Sequence, residues 1–448
     1  MRANLVSSIA VTCAAALTLP LTLATPAASH SGAPPAAPAA PQGEGDLAGS
    51  TQSLRLVPLG GGERTIGGAP AERGLARQDV RPFSLLGVVW DDVRAPLHGT
   101  VQVRTRATGG SEWSGWQDVE THTAEHGADP DSREGSSAAL RGATAPLWVG
   151  DSDGVEIRVR PEGRGAAALP AGLRLELIDP GPEPRADAPG AWPEPAAQRA
   201  MSASSNAAAS SSSSAVPAAG ASVLPALSRA ATAAAAGLST AGVAAKPYIG
   251  PRPKIVTRKG WGADEKMREK GFVYTKSVKA AFVHHTATGN NYSCAQAPSV
   301  LRGIYRYHVK SSGWRDFGYN FAVDKCGNIY EGRAGGVSKP VLGAHTLGFN
   351  TNSMGIAVIG TYSSTNPPAA AVTAVARLTA WKLGLHGGNP KGKATLTSGG
   401  GNRYKKGKKV KFNTIAGHRD GFATDCPGGR LYGKLGTART ASAKYQGR

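Results

Sequence analysis

The sequence predicts an α/β chain: a domain with a central mixed β-sheet flanked by helices, preceded by a β-rich, sandwich-like N-terminal module and a disordered linker. Three observations carry this. Apolar residues alternate at strand spacing through 52–180, strand and helix patterns follow one another through 247–448, and a Pro, Ala and Ser tract separates the two blocks. Length alone allows about three domains, but 59 Gly and 31 Pro among 448 residues assign part of the chain to linker. With 40% apolar residues there is material for two ordinary cores, which excludes a wholly disordered protein.

Within the first 28 residues, Leu5 to Ala24 is largely apolar and runs into the small-residue segment Pro26-Ala27-Ala28-Ser29. It reads as a secretory signal peptide, with an uncleaved anchor as the alternative. No other run approaches the ~20 apolar residues that span a bilayer, so no membrane span is expected after signal removal. Residues 29–51 form a flexible lead-in rich in Ala, Pro and Gly. Between 52 and 180, the stretches 83–90 (FSLLGVVW), 100–105 (TVQVRT), 147–149, 155–159 (VEIRV) and 173–178 (LRLELI) recur between turn residues, as in an antiparallel sandwich. Trp113 and Trp116 suit either packing on the sheet or stacking on sugar rings. Residues 181–246, with the serine run 210–214, read as a linker; an Ala-rich helix within 227–245 would have no apolar face to dock.

The domain 247–448 alternates element types. Strands are expected at 279–284 and 355–360, an amphipathic helix at 298–309, a hairpin from 319–324 and 328–331, and a long helix at 369–385 entered through Pro367-Pro368. Residues 251–448 hold 32 Lys and Arg against 8 Asp and Glu, whereas the preceding 250 residues hold 19 against 23. Such a domain seeks polyanions, and secretion points to anionic cell-wall polymers rather than nucleic acid. The basic run 391–411 carries eight Lys and Arg and no acid, and reads as a solvated loop or a polymer-attracting one.

Six of the ten histidines lie in this domain. His284-His285 ends an apolar strand, and strand alternation sends the two to opposite faces without saying which is functional. His418 follows Ala416-Gly417 and precedes Cys426 by eight residues. Once Cys13 leaves with the signal, Cys294, Cys326 and Cys426 remain, and in an oxidising compartment two pair while one is left for metal or reactive chemistry. Two imidazoles and a thiolate make a three-ligand zinc site with an open fourth position; buried structural histidines and an inert thiol are the alternative.

The larger pattern resembles a known family. RKGWGADE (258–265), FVHHTAT (282–288), GWRDFGYNF (313–321), GNIYEGR (327–333), GAH (343–345), SMGIAVIG (353–360) and GHRDGFATDCPG (417–428) stand in the order found in the peptidoglycan recognition proteins, the zinc-dependent N-acetylmuramoyl-L-alanine amidases of type 2. The resemblance covers Arg258 to about Tyr432 and implies a secreted, monomeric member of bacterial type. It implies Zn²⁺ held by His284, His418 and Cys426, with Tyr319 and Thr424 as catalytic residues. The implied activity is hydrolysis of the amide between N-acetylmuramic acid and the L-alanine of the stem peptide; a non-catalytic peptidoglycan-binding protein is the alternative, though such members usually lack the zinc cysteine.

By giving Cys426 to the metal, the resemblance also implies a Cys294–Cys326 disulfide, worth roughly 3 to 4 kcal/mol in the chain-entropy model. After Arg333 the chain reads Ala334-Gly335-Gly336 and departs from the animal pattern that separates diaminopimelate from lysine stems. Arg333 and His345 are open between groove-lining and structural use. With a linker poor in anchoring residues, the two domains are expected to act independently.

Overall fold

The computed structural model describes residues 49–59, 72–121, 126–162, 169–182, 221–237 and 248–448. The expected signal peptide, most of the lead-in and the serine run lie outside the described residues.

Among those residues the N-terminal module is an eight-stranded antiparallel sheet: β1 (Thr51–Arg55), β2 (Val57–Pro58), β3 (Arg73–Trp90), β4 (Gly99–Ala107), β5 (Gln117–Val119), β6 (Gly142–Ala143), β7 (Leu147–Pro161) and β8 (Arg174–Ile178). The order is β1-β8-β3-β7-β4-β5, with β2 and β6 also on β3. In β4 the expected alternation holds, with Val101, Val103 and Thr105 buried and the residues between them partly exposed. Against β7, β3 breaks register at three places. Such breaks bend a strand, so one continuous sheet supplies the sandwich-like layering, and Val88, Val101, Ile157 and Leu175 meet in one core. Trp113 and Trp116 are used for packing: Arg77 lies 5.1 Å over the first ring and Arg158 4.0 Å over the second.

The C-terminal domain has a seven-stranded mixed sheet. Its strands are β9 (Val223–Leu224), β10 (Ile255–Val256), β11 (Ala280–His285), β12 (Phe321–Val323), β13 (Ile329–Glu331), β14 (Ser353–Val358) and β17 (Ile415–Gly417), in the order β17-β11-β14-β12-β13-β10-β9. β15 (Lys393–Thr397) and β16 (Lys409–Asn413) form a separate hairpin. Four helices matter here: α1 (Arg229–Ala235), α2 (Ala297–Arg306), α3 (Ala369–Gly384) and α4 (Leu435–Gln446). One face of the sheet, through Val283, Phe321 and Ile356, is covered by α3 and α4. The other, through Ala322 and Ala357, is covered by α2. Cys294, just before α2, is disulfide-bonded to Cys326 in the β12–β13 turn, as expected.

Three expectations change. First, the two domains are not independent, because 46–448 forms one compact unit. Leu85, Val89, Trp148 and Ile178 of the module share a buried cluster with Val300, Leu301 and Ile304 of α2. Their chain neighbours Leu86, Val88, Leu147 and Leu177 face the module's own core, so this part of the module's sheet is apolar on both faces and the second face needs a cover. Second, residues 221–237 of the expected linker are built into the C-terminal domain: β9 pairs with β10, and α1 docks Ala233 in the core. The apolar face missing from the sequence reading is a small one made of alanine. Third, the basic run is a loop only in its middle: Arg403, Lys405, Lys406 and Lys408 lie in the connection 398–408, while Lys393, Lys409 and Lys411 stand on the paired strands β15 and β16. In the β15–β16 hairpin Leu396, Val410 and Phe412 are buried against Phe282 and Phe349, while Lys405, Lys406, Lys408, Lys409 and Lys411 are exposed. The alternating lysines hid an ordinary half-buried strand.

Candidate metal centre

Sheet register assembles the site. β11 and β17 are parallel neighbours with Val283 opposite Gly417, so the next residues, His284 and His418, emerge side by side, ring centroids 4.5 Å apart. A helical turn, His418–Gly421, starts at the second histidine, and Asp420 fixes it by accepting from the Gly417 N–H at 2.9 Å and the Tyr432 hydroxyl at 2.7 Å. The chain then returns Cys426 beneath the rings, its Sγ 3.7 Å from His284 Nδ1. The Cys426 N–H donates to Thr424 Oγ1 at 3.1 Å. His284, His418 and Cys426 are buried. His285 points away, its Nδ1 accepting from the Tyr362 N–H at 3.2 Å, and does not join the group.

A fourth residue does, and the sequence reading missed it. His126 of the N-terminal module brings a ring nitrogen into the group, and the donor atoms of His126, His284, His418 and Cys426 all lie within 4.8 Å of one another. His126 sits between β5 and β6, in a connection of a length that in a compact domain is usually functional; that length was the available signal. Its Nε2 is buried and has no hydrogen-bond partner among the described residues.

Tyr319 is buried with its ring 5.2 Å from that of His284. With Thr424 it lines a cavity of about 650 Å³ whose other wall belongs to the module, including Trp90, Arg141 and Thr144. His345 is a structural support: its Nδ1 is 3.0 Å from Thr346 Oγ1, which is 3.4 Å from His284 Nε2. Arg333 is buried and forks onto Glu134 of the module at 2.7 and 2.8 Å.

Burial, joined by the neighbouring imidazoles, pushes His284 well below the usual histidine range, and burial with His285 lowers His126 to about 3. Both are neutral at pH 7, the form that binds metal. Three imidazoles and a thiolate are a zinc donor set, and 3.7 Å between Nδ1 and Sγ matches the roughly 3.6 Å edge that Zn–N and Zn–S bond lengths give a tetrahedron. The residues fit the metal.

A mixed sheet with paired histidines at its parallel strand ends and a returning cysteine defines an amidase-type domain. Accordingly, residues 274–429 match the family model described as N-acetylmuramoyl-L-alanine amidase. Residues 35–200 match one described as Rv3811 N-terminal galactose-binding domain-like. Peptidoglycan-recognition protein SC2 of Drosophila simulans is 30% identical over 185 residues, covering 41% of this chain and 85% of that protein. The Homo sapiens N-acetylmuramoyl-L-alanine amidase is 31% identical over 188 residues, 41% of this chain and 28% of that protein. The solved Drosophila PGRP-LB structure aligns at 26% identity with 41% of this chain and 92% of that one, TM-score 0.33. The chain belongs to the peptidoglycan recognition protein family of type 2 amidases.

Proposed function

We propose that the protein is a secreted, zinc-dependent peptidoglycan hydrolase that cleaves the amide between N-acetylmuramic acid and the L-alanine of the stem peptide. The observation that carries this is the convergence of His284, His418 and Cys426 beside Tyr319 at one cavity. His284, His418 and Cys426 would hold the zinc, which supplies Lewis acidity to polarise a carbonyl and acidify water. Tyr319, buried and hydroxyl-bearing, donates to the oxyanion that develops as water adds to the carbonyl. Thr424 braces Cys426 through its N–H and offers a second hydroxyl to the cavity. When the C–N bond breaks, the muramyl lactyl group leaves as a carboxylic acid and alanine as an amine. The exposed lysines of the β15–β16 hairpin attract anionic wall polymers. Export rests on the apolar segment within residues 1–28.

The test is mass spectrometry of soluble muropeptides after incubation with protein holding one equivalent of zinc. Stem peptides freed at L-alanine are expected, and Cys426→Ser should lose both zinc and product while keeping its far-ultraviolet circular dichroism. Intact muropeptides with both the native protein and a folded, zinc-loaded His126→Ala variant would leave the chain a peptidoglycan binder.

A further inference from the structure

The metal group has one donor too many for a hydrolase. Catalytic zinc sites keep three protein ligands and leave the fourth position to water or substrate, whereas four protein ligands make a closed site. His284, His418 and Cys426 come from the C-terminal domain, and the fourth donor, His126, comes from the module.

His126 is not a stray neighbour. The residues after it are fastened to the C-terminal domain at successive points. Asn350 Nδ2 lies 2.8 Å from both the Gly127 carbonyl and Asp129 Oδ1, and the same carboxylate accepts from the Gly348 N–H at 2.8 Å. Asp131 pairs with Lys406 at 2.5 Å. Glu134 takes the fork of Arg333, and Arg141 donates its N–H to the Ser312 carbonyl at 3.2 Å. Residues 126–141 thus cross from one wall of the site to the other, with the histidine over the metal group. The acids on this strap meet the domain whose charge is overwhelmingly basic.

We propose that His126 is the fourth zinc ligand and that residues 126–141 are an inhibitory strap: the enzyme is latent until the strap lifts and His126 gives up its coordination position to water and substrate. The proposal rests on the amidase reading, but its central claim concerns coordination and is read without turnover.

The experiment uses the full mature chain loaded with Co²⁺ in place of zinc, with azide as the probe of an open coordination position. Wild type should give the intense visible absorption of four protein ligands and not respond to azide. His126→Ala should show a changed spectrum that azide shifts further, and should lose Zn²⁺ to a chelator at least about tenfold faster. It should also cleave soluble muropeptides at least about tenfold faster than wild type. Asp129→Asn, which loosens the strap and keeps the ligand, should give a smaller gain of azide response and turnover, and it carries the test if His126→Ala does not fold. Equal azide responses in wild type and folded variants would overturn the proposal, as would a loss of turnover in His126→Ala, since His126 would then serve catalysis. A chain that binds no Co²⁺ sinks the metal reading itself. A closed site in wild type, opened in His126→Ala with no cleavage by either, upholds the strap and removes the amidase reading.

Discussion

The module grips the C-terminal domain in two places, and the chemistry of the two differs. Beneath α2 the contact is apolar: Leu85, Val89, Trp148 and Ile178 against Val300, Leu301 and Ile304, all buried. Tyr307 adds its hydroxyl, 3.1 Å from the Thr144 carbonyl, and Gly87 is needed there because a Cβ would strike that hydroxyl oxygen at 2.4 Å and the ring at 2.6 Å. Over the metal centre the contact is polar, made by Asp129, Asp131 and Glu134. Separating an apolar contact returns its whole area to water at about 25 cal/mol per Å². Separating a buried ion pair refunds the desolvation of both ions, so the net loss is small. The fold therefore has a fixed anchor and a releasable strap.

The largest expected effect is at the anchor. Trp148 is 4% exposed and faces α2, so Trp148→Ala should cost about 3 to 5 kcal/mol. Denaturant melts of the full chain should move to a lower midpoint, and the module and C-terminal domain should begin to unfold in separate steps. A single transition with an unmoved midpoint would mean that the apolar contact does not couple the domains.

Next comes Glu134→Gln. Burial alone would raise the Glu134 carboxyl, but the Arg333 guanidinium outweighs it and holds the group below its ordinary value. Removing the charge leaves Arg333 facing a neutral amide, which should cost about 1 to 3 kcal/mol, with a ceiling set by the strap, which can lift and let water reach the cation. A depressed carboxylate pKa contributes stability that is complete above its unfolded value of 4.5 and is lost as pH falls through the folded value. In metal-free protein the gap between wild type and Glu134→Gln should be full at pH 7 and shrink below about pH 4.5. A gap that stayed constant down to pH 2 would show that the charge is not what Glu134 contributes.

Much of the C-terminal domain was legible because its elements are long or strongly patterned. The apolar strand 280–285 and the helix 369–384 announce themselves, and the alternation at His284-His285 required that only one of the pair enter the site. The anchor was partly legible too. FSLLGVVW is a near-continuous apolar run, which signals burial on both faces, whereas in LRLELI Arg174 and Glu176 alternate with leucine and only Leu177-Ile178 hints at a second buried face. The strap was not legible. His126, Asp129 and Glu134 have no period and no local partner, and their meaning comes from His284, Gly348 and Arg333, some 160 to 220 residues away in sequence. A polar contact between distant loops leaves no trace in either segment, whereas an apolar contact marks both.

The smallest effect separates the inner from the outer part of the strap. Lys406 reaches Asp131 at 2.5 Å, but the two side chains are 69% and 64% exposed. An ion pair so well solvated is worth no more than about 0 to 1 kcal/mol and is screened by salt. Lys406→Ala should therefore leave the denaturant midpoint within error of wild type in 1 M NaCl and lower it only slightly at low ionic strength. Zinc release to a chelator, which reports whether the strap is seated, should change less than in Glu134→Gln. If Lys406→Ala instead matched Glu134→Gln in both measurements, the strap would be held at its rim by long-range attraction to the basic hairpin. Anionic wall polymers competing for those lysines would then be able to lift it, and salt alone should speed zinc release from the wild-type chain.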